Sequence, residues 1–285
     1  MSVPAFSDIA KPANDLISKD FYHATAAILE VKLKAPNGLA ITTKGTSPHE
    51  GDISGSLEAK KVISKGITAT ESWSSANVLT TKIELEDTIA QGLKAEFLSV
   101  FNPKQGPKGQ KLSLYFKQGA FNTRAFFDYV PSTGNVNAVV DGVVAHEGFV
   151  VGGEAGYDVQ KAALTRYAAA LGYTQPQYSV AVTATNNLSV FAASYYHKVN
   201  TQVEAGVKAA YDTKSSSTVG IEIASKYKID TLSFAKAKIN DRGILSLAYN
   251  SKINSGLTFG IGASLDTQKL NEAGHKIGTS FTFEG

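Results

Sequence analysis

At 285 residues the chain can hold one large domain, and its single Met and lack of Cys exclude a disulfide scaffold, a thiolate zinc site and a cysteine nucleophile. Charged residues make up 19%, below the roughly 25% usual for soluble domains, while Gly is abundant at 25 residues. The net charge of +3 comes from lysines scattered singly, not clustered in the basic stripe of a nucleic-acid binder, so no nucleic-acid partner is expected.

The N-terminus reads differently from the rest. Phe6, Ile9, Ala13, Leu16 and Ile17 fall near helical spacing, with Asp8, Lys11, Asn14, Asp15 and Lys19 on the other side. This predicts a short amphipathic helix over roughly 6–19, interrupted at Pro12, which lacks an N–H and clashes with the preceding turn. Such a helix is either a surface element or a plug lying against the inner wall of a pore. The first 20 residues hold Pro4, Asp8, Pro12, Asp15 and Asp20 and no apolar run of the secretory type. We divide the chain into an N-terminal helical segment, 1–22, and an all-β domain, 23–285.

From about residue 25 onward the pattern has period two. Leu29, Val31 and Leu33 interleave with Glu30, Lys32 and Lys34. Leu79, Thr81, Ile83 and Leu85 interleave with Thr80, Lys82, Glu84 and Glu86, and the same alternation recurs at 111–117, 202–209 and 257–264. Successive side chains of a strand point to opposite faces, so each segment has one greasy and one polar face. Turn chemistry separates them at 36–38, 48–52, 132–134, 186–187, 212–217, 240–243 and 254–256. A strand every ~14 residues gives roughly 18–20 strands. No helical segment intervenes, which argues against βαβ units. The longest charge-free stretch, 167–196, carries Thr, Gln, Asn, Ser and Pro176 throughout and is too polar for a membrane-spanning helix.

Two architectures fit an all-β meander. A soluble sandwich buries bulky Leu, Ile and Phe between two sheets. Here the apolar phase is thin, often Ala, Val, Gly, Thr or Tyr, and the polar phase is persistently charged. Alternating strands of ~10 residues favour a closed barrel with lipid outside and water inside, the only sheet whose backbone is fully paired in a bilayer.

Little in the chain suggests chemistry. There is no Walker loop and no Gly-x-Gly-x-x-Gly in a strand–helix context, and the five histidines show no metal-ligand spacing. His146-Glu147 has no nucleophile or zinc motif beside it and reads as a strand-end pair. Asn187-Leu188-Ser189 is a formal glycosylation sequon that matters only on a secretory route. No catalytic residue, metal site or cofactor is expected. Glu71 is the unusual residue, lying in phase with Ile67, Ala69 and Trp73 and therefore on the apolar face. A carboxylate facing lipid is costly by a few kcal/mol; the alternative is a register slip that turns it inward, or a place at the rim.

Specific stretches carry a resemblance. Val3-Pro4-Ala5-Phe6-Ser7-Asp8-Ile9, Asn14-Asp15-Leu16, Lys19-Asp20-Phe21-Tyr22-His23, 91–96, 145–149, 194–200 and 226–249 resemble the fungal mitochondrial porins, the voltage-dependent anion channels. The similarity runs essentially from end to end. Lys276-x-Gly278-x-x-Phe281-x-Phe283 is similar to the family's C-terminal sorting signal, read by import and sorting machinery of the outer mitochondrial membrane. The resemblance implies an all-β membrane β-barrel of about 19 strands, its first and last strands pairing in parallel, with the short amphipathic helix in the lumen. It implies weakly anion-selective, voltage-gated passage of ATP, ADP, phosphate and other metabolites, and no enzyme activity.

By the same resemblance, Lys11, Lys19, Lys60 and Lys94 match basic positions that contact nucleotides or shape selectivity. Asp15 and Lys19 match positions where charge affects gating. Gly92-Leu93-Lys94 matches a tripeptide the family associates with nicotinamide nucleotides such as NADH, although a turn glycine explains it equally well. Glu71 matches a lipid-facing carboxylate linked to dimerisation, so membrane lipids and a homo-oligomer join inorganic anions among the implied partners. A protein-import barrel shares the architecture but normally carries a longer N-terminal extension. A soluble all-β binding protein or enzyme lacks its catalytic constellation here.

Overall fold

In a computed structural model, which describes residues 2–215, 219–272 and 274–285, one sheet closes on itself. Its first nine strands are β1 (Ala27–Lys34), β2 (Leu39–Ser47), β3 (Ser54–Ser64), β4 (Ile67–Ser74), β5 (Leu79–Glu86), β6 (Leu93–Asn102), β7 (Gly106–Gln118), β8 (Phe121–Val130) and β9 (Asn135–His146). Then come β10 (Phe149–Asp158), β11 (Ala163–Thr174), β12 (Tyr178–Thr185), β13 (Val190–Lys198) and β14 (Val203–Asp212). The last are β15 (Gly220–Lys228), β16 (Ser233–Asn240), β17 (Ile244–Asn254), β18 (Leu257–Asp266) and β19 (Lys276–Glu284). Sequential strands pair antiparallel, and β1 pairs in parallel with β19, Leu29 opposite Phe281. Closure leaves no unpaired edge, the condition for a sheet in hydrocarbon.

Alternation now has a direction. Ile9 of the N-terminal segment lies against Gly152 and Gly172, so even positions of β10 and β11 face inward, and the pairing register carries that assignment around the wall. The outward phase exposes Leu33, Leu57, Val144, Leu171, Ile223 and their like over most of the surface. Soluble monomers rarely expose so large an apolar area, whereas lipid covers it. Aromatics ring both ends of this outer face: Phe121, Phe149, Tyr173 and Tyr178 at one, Trp73, Phe101, Tyr129, Tyr157 and Tyr211 at the other. Such belts mark the two membrane–water interfaces. The sandwich alternative falls, because no dry core lies between two sheets. The buried apolar clusters centre on Val3, Ile9 and Val143, and on Leu16, Ile17 and Ala224, where the N-terminal segment meets the inner wall.

That segment comprises a 3₁₀ turn (Phe6–Asp8), α1 (Lys11–Ser18) and a second 3₁₀ turn (Tyr22–Ala24) that straddles the expected division at 22/23. The expected interruption at Pro12 is corrected. Pro12 sits in the first turn of α1, where a missing N–H leaves no bond unmade, and the break precedes it at Ile9–Ala10. The expected turns fall between strands, apart from the 212–217 turn, part of which lies outside the described residues.

Candidate functional site

The lumen divides into two arcs. From β9 to β19 the wall carries the N-terminal segment: the first 3₁₀ turn touches β9 and β10, α1 touches β13, β14 and β15, and the second turn touches β18 and β19. From β1 to β8 the inner face is largely bare, apart from the first residues, which reach β7 and β8.

On the covered arc, inward positions under the segment include several glycines, whose missing side chains form sockets. A Cβ on Gly152 would meet Ile9 and Phe6 at 2.9 Å, and one on Gly206 would meet Leu16 at 2.9 Å. Gly260 faces the Tyr22 ring, and Gly278 lies under the Tyr22 and Thr25 carbonyls. Ile9, Ala13, Leu16 and Ile17 are buried as a result. Full burial of a Leu or Ile side chain contributes about 1.5–3 kcal/mol.

Charged groups hold both ends of the segment. At its start, Arg124 of β8 donates to both oxygens of buried Asp141 on β9 and, at 3.2 Å, to Ser7 Oγ. Asn122 donates to the Val3 carbonyl, and Lys117 to Ser2 Oγ. At its finish, buried Lys236 of β16 donates to the Lys19 carbonyl at 2.7 Å and the Asp15 carbonyl at 3.2 Å, with its Nζ 4.9 Å from the centre of the Phe21 ring. The Lys19 carbonyl, past the last turn of α1, lacks an intrahelical donor, the Asp15 carbonyl already accepts from the Lys19 N–H at 3.1 Å, and a cation there also suits the helix dipole.

The bare arc is lined by charge. Glu30, Lys32 and Lys34 of β1, Lys44 of β2, Glu58 and Lys60 of β3, Lys82, Glu84 and Glu86 of β5, and Lys94 and Glu96 of β6 share the inner face by register. Lys94 is 2.9 Å from Glu84 and 2.7 Å from Glu96, and Tyr115 donates to Glu96.

Of the residues singled out in the sequence, Lys60 and Lys94 lie on the bare arc, while Lys11 and Lys19 project from α1. Each is paired: Lys11 with Asp8 at 3.6 Å, Lys19 with Asp15 at 2.8 Å, Lys60 with Glu84 at 3.7 Å. The Asp15 hydrogen bond holds the Lys19 ammonium above its ordinary pKa of 10.5. A cleft of about 600 Å³ beside the segment brings Lys11 and Asp15 together with His146 and Glu147. Gly92-Leu93-Lys94 does not converge. Gly92 has φ +81° at the hairpin entering β6, where its N–H donates to Asp87, and Leu93 and Lys94 face opposite sides. Glu71 is on the outer face beside Trp73, accepting a hydrogen bond from Thr81 at 3.1 Å. In β19, Lys276 and Gly278 face inward and Phe281 and Phe283 outward, with Phe281 against Phe259. His146 ends β9, and Glu147 forms the hairpin with φ +49°.

Sequence reasoning missed Glu84, Arg124–Asp141 and Lys236. A charged residue alternating with Ala or Gly signals an inward position, but nothing local says which ones meet. Among the described residues no group of His, Asp and Glu could hold a metal.

The eukaryotic porin family model matches residues 2–278. The chain is 55% identical to the mitochondrial outer membrane protein porin of Neurospora crassa, covering all of both chains. It is 44% identical to the mitochondrial outer membrane protein porin of Candida albicans, over 99% of each. It is 38% identical to non-selective voltage-gated ion channel 1 of Saccharomyces cerevisiae, over all of both. Among solved structures, a mutant Rh. blastica porin aligns with TM-score 0.50 at 8% identity over 80% of this chain and 89% of that one, a likeness of fold alone.

Proposed function

The chain belongs to the eukaryotic porin family and forms a channel of the mitochondrial outer membrane, and on that premise we propose that it passes small metabolites with a weak preference for anions. The observation that supports this reading is the bare arc, where by register β1 to β6 turn six lysines and five glutamates toward the lumen, with Lys34 and Lys44 among the lysines that have no carboxylate partner in the described residues. Lysine is a compact, strongly hydrated charge, suited to attracting phosphates transiently without holding them. ATP, ADP, phosphate, NADH and inorganic anions are the fitting cargo, and Lys11, Lys19, Lys60 and Lys94 are their contacts. Asp15 and Lys19, charged groups on a segment inside the field, are the elements through which voltage acts.

Glu71 meets lipid in this reading and is where a second copy joins, and the last strand is what the sorting machinery reads. A soluble binding protein finds no support in the outer apolar face. Planar-bilayer recording tests the proposal. A potassium chloride gradient should give a reversal potential of the sign for anion preference, and conductance should fall at both voltage polarities. A cation-preferring or voltage-insensitive pore would overturn it.

A further inference from the structure

Glu84 is the carboxylate of the bare arc that the lysines gather around. Its side chain is 10% exposed, and its oxygens lie 2.9 Å from Lys94 of β6, 3.5 Å from Lys82 of its own strand β5 and 3.7 Å from Lys60 of β3. Directly opposite across the β5–β6 pair stands Glu96, and Lys94 bridges the two carboxylates. Two like charges facing each other across a pair are unfavourable, so Lys94 is needed where it is. Lys60 and Lys82 have no such obligation. They are half in the lumen and lean back toward Glu84.

By contrast, Glu58, one strand from β4 on the same inner face, is exposed and has no lysine partner among the described residues. The two carboxylates carry the same formal charge, yet only Glu84 restrains ammoniums that could otherwise reach passing ions.

We propose that Glu84 is a selectivity-determining residue, a wall-embedded counter-charge that holds Lys60 and Lys82 back toward the wall, weakening the contact Lys60 makes with passing anions, and keeps anion preference below what the lysines of this arc could give. This rests on the anion-preferring reading above. The Coulomb attraction between partly buried charges at these separations is several times that across open water, and salt screens it less. Cutting that attraction releases two cations into the lumen besides removing one anion. Lys60 looked, by resemblance, like a selectivity residue; in the wall it and Lys82 are a restrained reserve.

The test compares reconstituted wild type, Glu84→Gln, Glu58→Gln and Glu84→Asp in a potassium chloride gradient. Glu84→Gln should raise the chloride-to-potassium permeability ratio by about twofold and Glu58→Gln by clearly less, because the exposed charge is already screened by salt. Glu84→Asp should stay near wild type. A membrane-impermeant amine-acylating reagent, with sites read by mass spectrometry, should label Lys60 and Lys82 several-fold faster in Glu84→Gln and at the wild-type rate in Glu58→Gln. Equal shifts for the two glutamines, or unchanged labelling, would overturn the proposal.

Should Glu84→Gln fail to insert, the lysine side decides. Lys82→Gln, whose charge is held by Glu84, should lower anion preference less than Lys44→Gln; an equal or larger loss would contradict the assignment. Wild type alone tests the anion-preferring reading, so the two can fail separately.

Discussion

The covered and bare arcs are built from one pattern and behave as two materials. Both alternate an outward apolar phase with an inward phase, and the outward halves are interchangeable. Inward, β10, β11, β14, β18 and β19 place glycines where β1, β2, β3, β5 and β6 place Lys or Glu. A glycine on a wall exposes backbone and offers shape, so those strands receive a buried apolar segment. The lysines of the bare arc offer charge to the lumen, whereas Lys208 and Lys236 of the covered arc bind the segment through its polar groups. The difference teaches that a barrel's inner face can be assigned to docking or to conduction strand by strand while the fold stays the same.

Substitutions should separate the arcs by size of effect. Leu16→Ala removes a fully buried side chain from the Gly206 socket and should destabilise the seated segment by about 3 kcal/mol. Leu98→Ala, on the inner face of β6 over open lumen, should cost below about 1 kcal/mol. Thermal unfolding in detergent, together with protease cleavage near residue 10, reads both; similar losses would erase the distinction.

Next in size is Lys236→Met, which leaves the Lys19 carbonyl without its donor and takes from the Asp15 carbonyl the second of its two. It should cost about 2 kcal/mol and free the C-terminal end of α1, visible as faster amide exchange at 15–21. Lys44→Met, a lumen lysine with no partner among the described residues, should leave unfolding unchanged.

Smaller still is Gly206→Ala. The new Cβ would stand 2.9 Å from Leu16 and 3.1 Å from the Tyr195 carbonyl, an overpacking cost of about 1–2 kcal/mol. Gly45→Ala in β2 meets nothing within 4 Å and should be neutral or slightly stabilising.

The smallest effect is a pH dependence at the edge of the covered arc. Burial, then the charges of Lys238, His49 and Lys276, holds the His23 imidazole below its ordinary value of 6.5. The folded protein therefore takes up that proton less readily than the unfolded chain. Its contribution is complete above that ordinary value and is lost as pH falls below it, so melting temperature should drop more steeply there in wild type than in His23→Gln. Parallel pH curves for the two would remove His23 from the account.

Much of this was legible in the sequence, because it is local. Alternation at 29–34 or 79–86 fixes which residues share a face, and repeated turns bring the strand number to roughly 18–20. The amphipathic segment shows in the spacing of Ile9, Ala13, Leu16 and Ile17. What stayed hidden is set by register between distant strands. Gly206 looked like any strand glycine until Leu16 lay across it. Lys94 looked free because Glu84, ten residues earlier, meets it only through the β5–β6 pairing. Pro12 misled by its usual role as a breaker, since its position relative to the helix start was not visible.

The division of the lumen can be read directly, because the chain has no cysteine of its own. Ser72→Cys places a thiol on the inner face of β4 in the bare arc, and Ala181→Cys places one on β12 against the cluster of Val3, Ile9 and Val150. With a charged methanethiosulfonate added to single channels, the account predicts a stepwise change of conductance at Ser72→Cys within seconds and none at Ala181→Cys. Equal reaction at both positions would mean that the segment does not cover that wall, and the two-arc account would be wrong.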